Sequence, residues 1–203
     1  MLYLMRHGQT DWNVEDRFNS TTEVPLNVEG GRGASVAARG MVDTGITRIV
    51  SSPLLRCVHT AEIARSVVNP AVDIEIWDDL REVDFGDFEG LSKHDLKGNK
   101  DLRSWFRPYP TGNTPPNAET WTEAAHRARS LLTMLGSRSD QQTLVVSHGY
   151  LLRLMIVEAI EISPPQAMRR FSLDNAHVST LSNESGYWRL LGHNLQSLEQ
   201  EQQ

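Results

Sequence analysis

Cysteine is almost absent from this chain: Cys57 stands alone among 203 residues. An intramolecular disulfide and a cysteine-based zinc cage are therefore both excluded. No apolar run approaches the roughly 18 residues that cross a bilayer. No basic stretch precedes a long apolar one at the N-terminus, so no signal peptide is visible either. Positive charge is in deficit, with 20 Lys and Arg against 26 Asp and Glu, a net charge of −6 and a pI near 5.6. That balance argues against a general nucleic-acid binder, although local arginines can still build an anion site. No His, Asp or Glu cluster has metal-ligand spacing. A cytoplasmic protein with neither membrane nor nucleic-acid partner is expected, and 39% hydrophobic residues suffice for one sizeable core.

What is present begins at once. Leu2 to Met5 is an apolar run, and Arg6-His7-Gly8 stands where it must end. This reads as a buried parallel strand feeding a loop. The loop from His7 to Pro25 is long and polar, with Trp12 and Phe18 to pin it. Asn27 opens a helix whose third position on is Gly30, so no capping box forms. Arg48 to Ser51 is a second strand, stopped by Ser51-Ser52-Pro53. A helix follows over about Leu54 to Val68; Leu55, Val58, Ile63 and Val67 fit its spacing only loosely. Ile74 and Ile76 suggest a short strand.

Further on, the acidic, glycine-containing run Leu80 to Gly90 reads as a loop. Residues from about 92 to 117 read as an inserted, Pro-rich cap. Trp121, Ala124, Ala125, Ala128, Leu131, Leu132 and Leu135 share one helical face. Thr143 to Ser147 is the clearest strand, with His148-Gly149 directly after it and an apolar helix from Leu151 to Ile160. A hairpin is expected around Asn183 to Gly186, and the tail from about 195 to 203 is polar. The alternation implies a single α/β domain over 1–203: a three-layer α/β/α sandwich with a mostly parallel central sheet and a small inserted cap.

Two apolar strands thus end in His-Gly, and a third leads through Ser51-Ser52-Pro53 into Arg56. In open α/β sheets ligands bind beyond the carboxyl ends of strands. Two histidines and two arginines there suit an oxyanion with several charged oxygens: arginine offers paired planar donors, and histidine serves as nucleophile or charged donor.

With these pieces in hand, the sequence resembles the histidine phosphatase superfamily, which includes cofactor-dependent phosphoglycerate mutase. The matching pieces, in family order, are Arg6-His7-Gly8 with Thr10 and Trp12-Asn13, then Ser51-Ser52-Pro53 with Leu55-Arg56. Leu80-Arg81-Glu82 with Phe85-Gly86 and Glu89-Gly90 follows, and Val146-Ser147-His148-Gly149 comes last. The resemblance implies that His7 is the nucleophile that becomes phosphohistidine. It implies that Arg6, Arg56 and a protonated His148 form the phosphate pocket and that Glu82 is the proton donor. Asn13, Gln9, Thr10 and Gly149 would line the same site. The family often has glycine near Ser20, where this chain has Asn19-Ser20-Thr21-Thr22, so Thr22 is expected to replace that loop's backbone contact. Gly-Gly-Glu before the long helix is here Asn117-Ala118-Glu119, which leaves Glu119 a helix N-terminal charge or something more.

Other readings stay open at this level. His177 either contacts substrate or does not, and Trp105, Phe106 and Tyr109 either wall the pocket or pack. Cys57 reads as a buried structural thiol, and Asp84, Asp87 and Glu89 as a solvated acidic loop. The expected function is metal-independent hydrolysis of a small-molecule phosphomonoester, with no cofactor. A 2,3-bisphosphoglycerate-dependent phosphoglycerate mutase and a non-catalytic phosphate-ester-binding module are the alternatives.

Overall fold

The computed structural model describes residues 1–100, 114–137, 141–162, 170–184 and 186–196. The expected cap falls largely on 101–113, so Trp105, Phe106 and Tyr109 lie outside the described residues. Strands β1 (Leu2–Arg6), β2 (Arg48–Ser51), β3 (Ile74–Ile76) and β4 (Thr143–Ser147) are mutually parallel and sit in the order β3-β2-β4-β1. β5 (Val178–Glu184) and β6 (Tyr187–Leu195) continue the sheet beyond β1 as antiparallel strands. The chain crosses from β1 to β2, moves out to β3, and returns to insert β4 between β1 and β2. The carboxyl ends of three neighbouring strands thus share one edge of the sheet.

Helices cover both faces. Along β1, Leu2 and Leu4 point into one core and Tyr3 and Met5 into the other, as the two-residue period requires. The first core is closed by α4 (Trp121–Gly136) and α5 (Gly149–Ala159), the second by α2 (Val28–Arg39) and α3 (Leu55–Val68). α4 buries the face read from its sequence, Trp121 through Leu135. Each fully buried leucine of that stripe contributes about 1.5–3 kcal/mol relative to exposure. Among the described residues, no helix is long and apolar enough to cross a membrane.

Three elements depart from the sequence reading. α3 buries Arg56, Cys57, Thr60, Ala61 and Ala64, an unbroken helical stripe, while Leu55 stays exposed. The inward face is polar at its start because that end of α3 abuts the strand ends, so of the positions read from the sequence Ile63 and Val67 pack at the edge of the second core while Leu55 does not. The loop after His7 contains a one-turn helix, α1 (Asp11–Val14), closed by a reciprocal cap between Thr10 and Asn13. α5 begins two residues earlier than its apolar run, with His148 as N-cap. Its first amides are held by a carboxylate from another part of the chain, as described next.

Candidate active site

β1 and β4 are hydrogen-bonded in register, with Arg6 opposite Ser147 and His7 N–H donating to Ser147 O at 2.9 Å. The two histidines that follow these strands therefore emerge side by side, their ring centroids 5.2 Å apart and their planes at 62°. Gly8 and Gly30 let the loop after His7 lie against the start of α2. A Cβ on Gly8 would stand 2.4 Å from Gly30 O, and one on Gly30 would stand 2.1 Å from Gln9 O. Neither position can accept a side chain without moving backbone.

His7 is buried, with Nδ1 at 2.7 Å from Gly8 O. A carbonyl only accepts, so Nδ1 carries the hydrogen and Nε2 keeps its lone pair. Burial, then the charges of Arg56 and Arg6, hold the His7 pKa well below the usual imidazole value. The ring is a neutral imidazole at neutral pH.

Arg6 donates to Leu173 O at 2.7 Å; Arg56, fully buried, donates to Thr22 O at 2.9 Å and Ser20 O at 2.8 Å. Among the described residues neither is ion-paired with a carboxylate, and the Nε of each is buried without a partner. Two orphaned guanidinium N–H groups at one site are costly in isolation. His148 is fully buried, with Nε2 2.8 Å from Ser52 Oγ and 3.3 Å from Cys57 Sγ. Burial, then Arg56, His7 and Arg6, push its pKa well below the usual value. In the ligand-free site, burial first and the arginines second thus oppose the protonated His148 expected from the sequence. Cys57 is a buried thiol whose pKa burial pushes up to about 12, in keeping with a structural role.

Glu82 comes from the segment after β3, which Ser147 Oγ ties across the site by donating to Leu80 O at 2.7 Å. Its Oε1 accepts from Val83 N–H and Leu151 N–H, both at 3.0 Å, and its Oε2 from Tyr150 N–H at 3.0 Å. Glu82 therefore caps α5 from 68 and 69 positions away in sequence. Oε1 has both lone pairs engaged, so Oε2 is the oxygen left to carry a proton. Glu119 acts behind it. It pairs with Arg127, whose other nitrogen donates to Asp79 O at 2.7 Å and Arg81 O at 2.8 Å and so braces the segment that presents Glu82.

These groups surround a cavity of about 410 Å³ whose lining includes Arg6, His7, Asn13, Asn19, Glu82 and Gly149. Gly149 is in place because a Cβ there would lie 3.1 Å from Arg6 Nε. Arg56 and His148 form the layer beneath. Three expected lining residues stand elsewhere. Thr10 is fully buried as the cap of α1. Gln9 accepts from Asn27 Nδ2 at 3.1 Å and faces a second depression along α2. Thr22 has its N–H on Glu89 and its carbonyl on Arg56, so it makes no backbone offer to the cavity. Glu89 also takes the N–H and hydroxyl of Ser20, which corrects the reading of Glu89 as merely solvated.

Asn19 and Asn175 are among the lining residues that escaped sequence reasoning. Asn19 is 8% exposed with both side-chain amide atoms unpartnered; its only sequence signal was the departure from glycine next door. Asn175 lines the cavity, whereas His177, two positions on, donates through Nδ1 to Asn175 O at 3.0 Å. Among the described residues, no group of three or more His, Cys, Asp or Glu is arranged to hold a metal ion.

Comparison with known proteins follows the same lines. The profile of the histidine phosphatase superfamily (branch 1) matches residues 2–196. A Bacillus subtilis (strain 168) protein named uncharacterized phosphatase PhoE is 32% identical over 196 residues, covering 96% of this chain and 94% of that one. A probable phosphoglycerate mutase GpmB of Proteus mirabilis (strain HI4320) is also 32% identical, covering 92% of this chain and 86% of its own. The crystal structure of the alpha-ribazole phosphatase from Shigella flexneri superposes with a TM-score of 0.84 at 26% identity, covering 97% of each chain.

Proposed function

The chain belongs to the histidine phosphatase superfamily and is a phosphatase, and on that premise we propose that it hydrolyses small phosphomonoesters through a phosphohistidine on His7, without a metal. The observation that carries this reading is the state of His7: a neutral ring with its Nε2 lone pair free, set among buried guanidinium N–H groups that lack acceptors. The phosphoryl group of an ester in the cavity, against Arg6 and above the charge of Arg56, lies open to in-line attack by Nε2. The N–P bond forms as the P–O bond to the leaving alcohol breaks, and the leaving oxygen takes a proton from Glu82 Oε2. The carboxylate so formed then accepts a proton from water as that water attacks phosphorus, releasing phosphate and restoring the His7 imidazole. As dianionic phosphate enters, its charge offsets the arginines and favours protonation of His148.

The test is phosphate release from p-nitrophenyl phosphate and a panel of phosphomonoesters, with alkaline quench in the steady state to trap acid-labile phosphate on the protein. Absence of both refutes the proposal. Turnover is expected to survive exhaustive chelation, since the arginines supply the charge neutralisation. Loss of activity in EDTA, restored by a divalent cation, overturns the metal-free mechanism.

A mutase reading draws on the relative named probable phosphoglycerate mutase. A mutase must keep water from phosphohistidine while its intermediate turns over. Here the separation of Glu82 and His148, 66 positions, is short for a covering insertion. The cavity lining also includes the charged residues Asp16, Arg17 and Lys93, a polar wall unsuited to excluding water. We expect phosphate release from 3-phosphoglycerate with no appreciable 2-phosphoglycerate formed, with or without 2,3-bisphosphoglycerate. Interconversion faster than phosphate release on the same sample makes the mutase reading the better one.

A further inference from the structure

We propose that Asn175 is a positioning residue that, together with Thr10 N–H, holds the Asn13 amide with its Nδ2 end toward the phosphoryl group. The inference rests on the phosphatase reading and deepens it. Asn13 lines the cavity beside His7. Its Oδ1 accepts three hydrogen bonds: from Thr10 N–H at 3.0 Å, from the Thr10 hydroxyl at 3.1 Å and from Asn175 Nδ2 at 3.0 Å. That exhausts the acceptor capacity of an amide oxygen. Among the described residues no acceptor takes the Nδ2 hydrogens of Asn13, which are thus left for the cavity as donors.

The opposite orientation is excluded by chemistry. With the amide turned over, an NH2 group would face a backbone N–H and the Asn175 NH2, donor against donor. Thr10 N–H already requires an acceptor at that place, whereas the Thr10 hydroxyl also accepts from Asn13 N–H at 3.3 Å and can reorient its hydrogen. Asn175 adds a donor that cannot become an acceptor while it stays in place, since its Nδ2 also donates to His7 O at 3.1 Å. One amide therefore touches both the backbone of the nucleophile and the amide beside it.

The loop that carries Asn175 is itself over-determined. Ala176 N–H reaches Arg6 O and His7 O, both at 3.1 Å, and Ala176 is held at φ +56, a region non-glycine residues seldom occupy. Such a conformation persists only where its surroundings compel it, and it clusters at functional sites. The loop crosses the exit of β1 and is locked to it on both sides of Asn175.

A purely structural Asn175 and a positioning Asn175 make different predictions in a double-mutant cycle. The readouts are equilibrium binding of inorganic phosphate to the protein and KM against kcat for p-nitrophenyl phosphate. Asn175→Ala is expected to weaken phosphate binding and raise KM roughly tenfold, the scale of one hydrogen bond to a charged group, with a smaller change in kcat. Asn13→Ala is expected to do about the same. In the Asn13→Ala background, Asn175→Ala is expected to add less than about twofold, because the amide it orients is gone. Equal losses in both backgrounds overturn the proposal, as does unchanged phosphate affinity in the single variant.

Asn13→Asp guards against a misfolded Asn175 variant. It keeps an acceptor for all three donors yet turns an oxygen toward the ligand, so a folded protein with phosphate affinity reduced at least tenfold is expected; undiminished affinity overturns the proposal. Phosphate binding needs no turnover. A wild-type protein that binds phosphate and hydrolyses no ester refutes the hydrolase reading while leaving the Asn175 test intact.

Discussion

His7→Ala is expected to abolish turnover by roughly 10⁶-fold, the scale seen when a covalent nucleophile is removed from a hydrolase, while the fold stays intact. His7 is the one neutral imidazole in the cavity lining, and it is prepared for attack: Nδ1 is committed to Gly8 O at 2.7 Å, and burial with Arg56 and Arg6 keeps the proton off the ring. The nearest alternative, His148, is buried in the layer beneath, with Nε2 engaged by Ser52 and Cys57. Acid-labile phosphate trapped on the wild-type protein should be missing from the variant. The same depressed pKa keeps the nucleophile unprotonated to lower pH than a free imidazole, so any acid-side fall in kcat/KM through titration of His7 should come below the free value of about 6.5.

Stability supplies an independent reading. His7 and His148 both have folded-state values lowered below their unfolded ones. The stability linked to them is present above the unfolded value of about 6.5 and is lost as pH falls below it. His7→Ala should therefore unfold less steeply on acidification than the wild type. A variant with near wild-type activity sinks the nucleophile assignment whatever its stability.

Glu82→Gln is expected to cost about 10²–10⁴-fold on alkyl phosphates, the range for loss of a positioned acid, and far less on p-nitrophenyl phosphate. The leaving group decides this. An alkoxide must be protonated as it departs, whereas p-nitrophenolate leaves without help. Gln keeps a carbonyl oxygen for Val83 N–H and Leu151 N–H, but its NH2 faces Tyr150 N–H donor to donor and has no transferable proton. Because Tyr150 N–H and Leu151 N–H lose a charged cap, α5 should also be destabilised, by about 0.5–2 kcal/mol, which thermal unfolding measures. Equal losses on both substrates argue that Glu82 serves only as that cap and is not the acid.

The sequence by itself determined the element types, their order and the chemistry of the strand ends. It did so wherever the signal is local. The apolar runs of β1 and β4 each stop at a histidine and glycine, the stripe of α4 repeats at helical spacing, and Asn27 caps α2 through its own side chain by accepting from Gly30 N–H at 2.9 Å. The resemblance carried by those pieces named His7, Arg6, Arg56, His148 and Glu82, and the structure brings all five to one place.

What only the tertiary structure decided depends on groups far apart in the chain. The buried face of α3 is polar at its start because it meets the strand ends, so periodicity marked Ile63 and Val67 but missed Arg56, Cys57 and Thr60. The start of α5 is set by Glu82, a cap that no local window contains. Thr10, Gln9 and Thr22 belong to the family's loops, yet their hydrogen bonds go to Asn13, Asn27, Glu89 and Arg56, which leaves Asn19 and Asn175 to face the cavity. The charge of His148 is likewise a property of its surroundings: burial beside two arginines removes a proton that residue type alone would have left in doubt. Local pattern fixes which backbone forms, because helices and strands are built from neighbouring residues. Which polar atoms remain free for a ligand is known only after every buried partner has been paired.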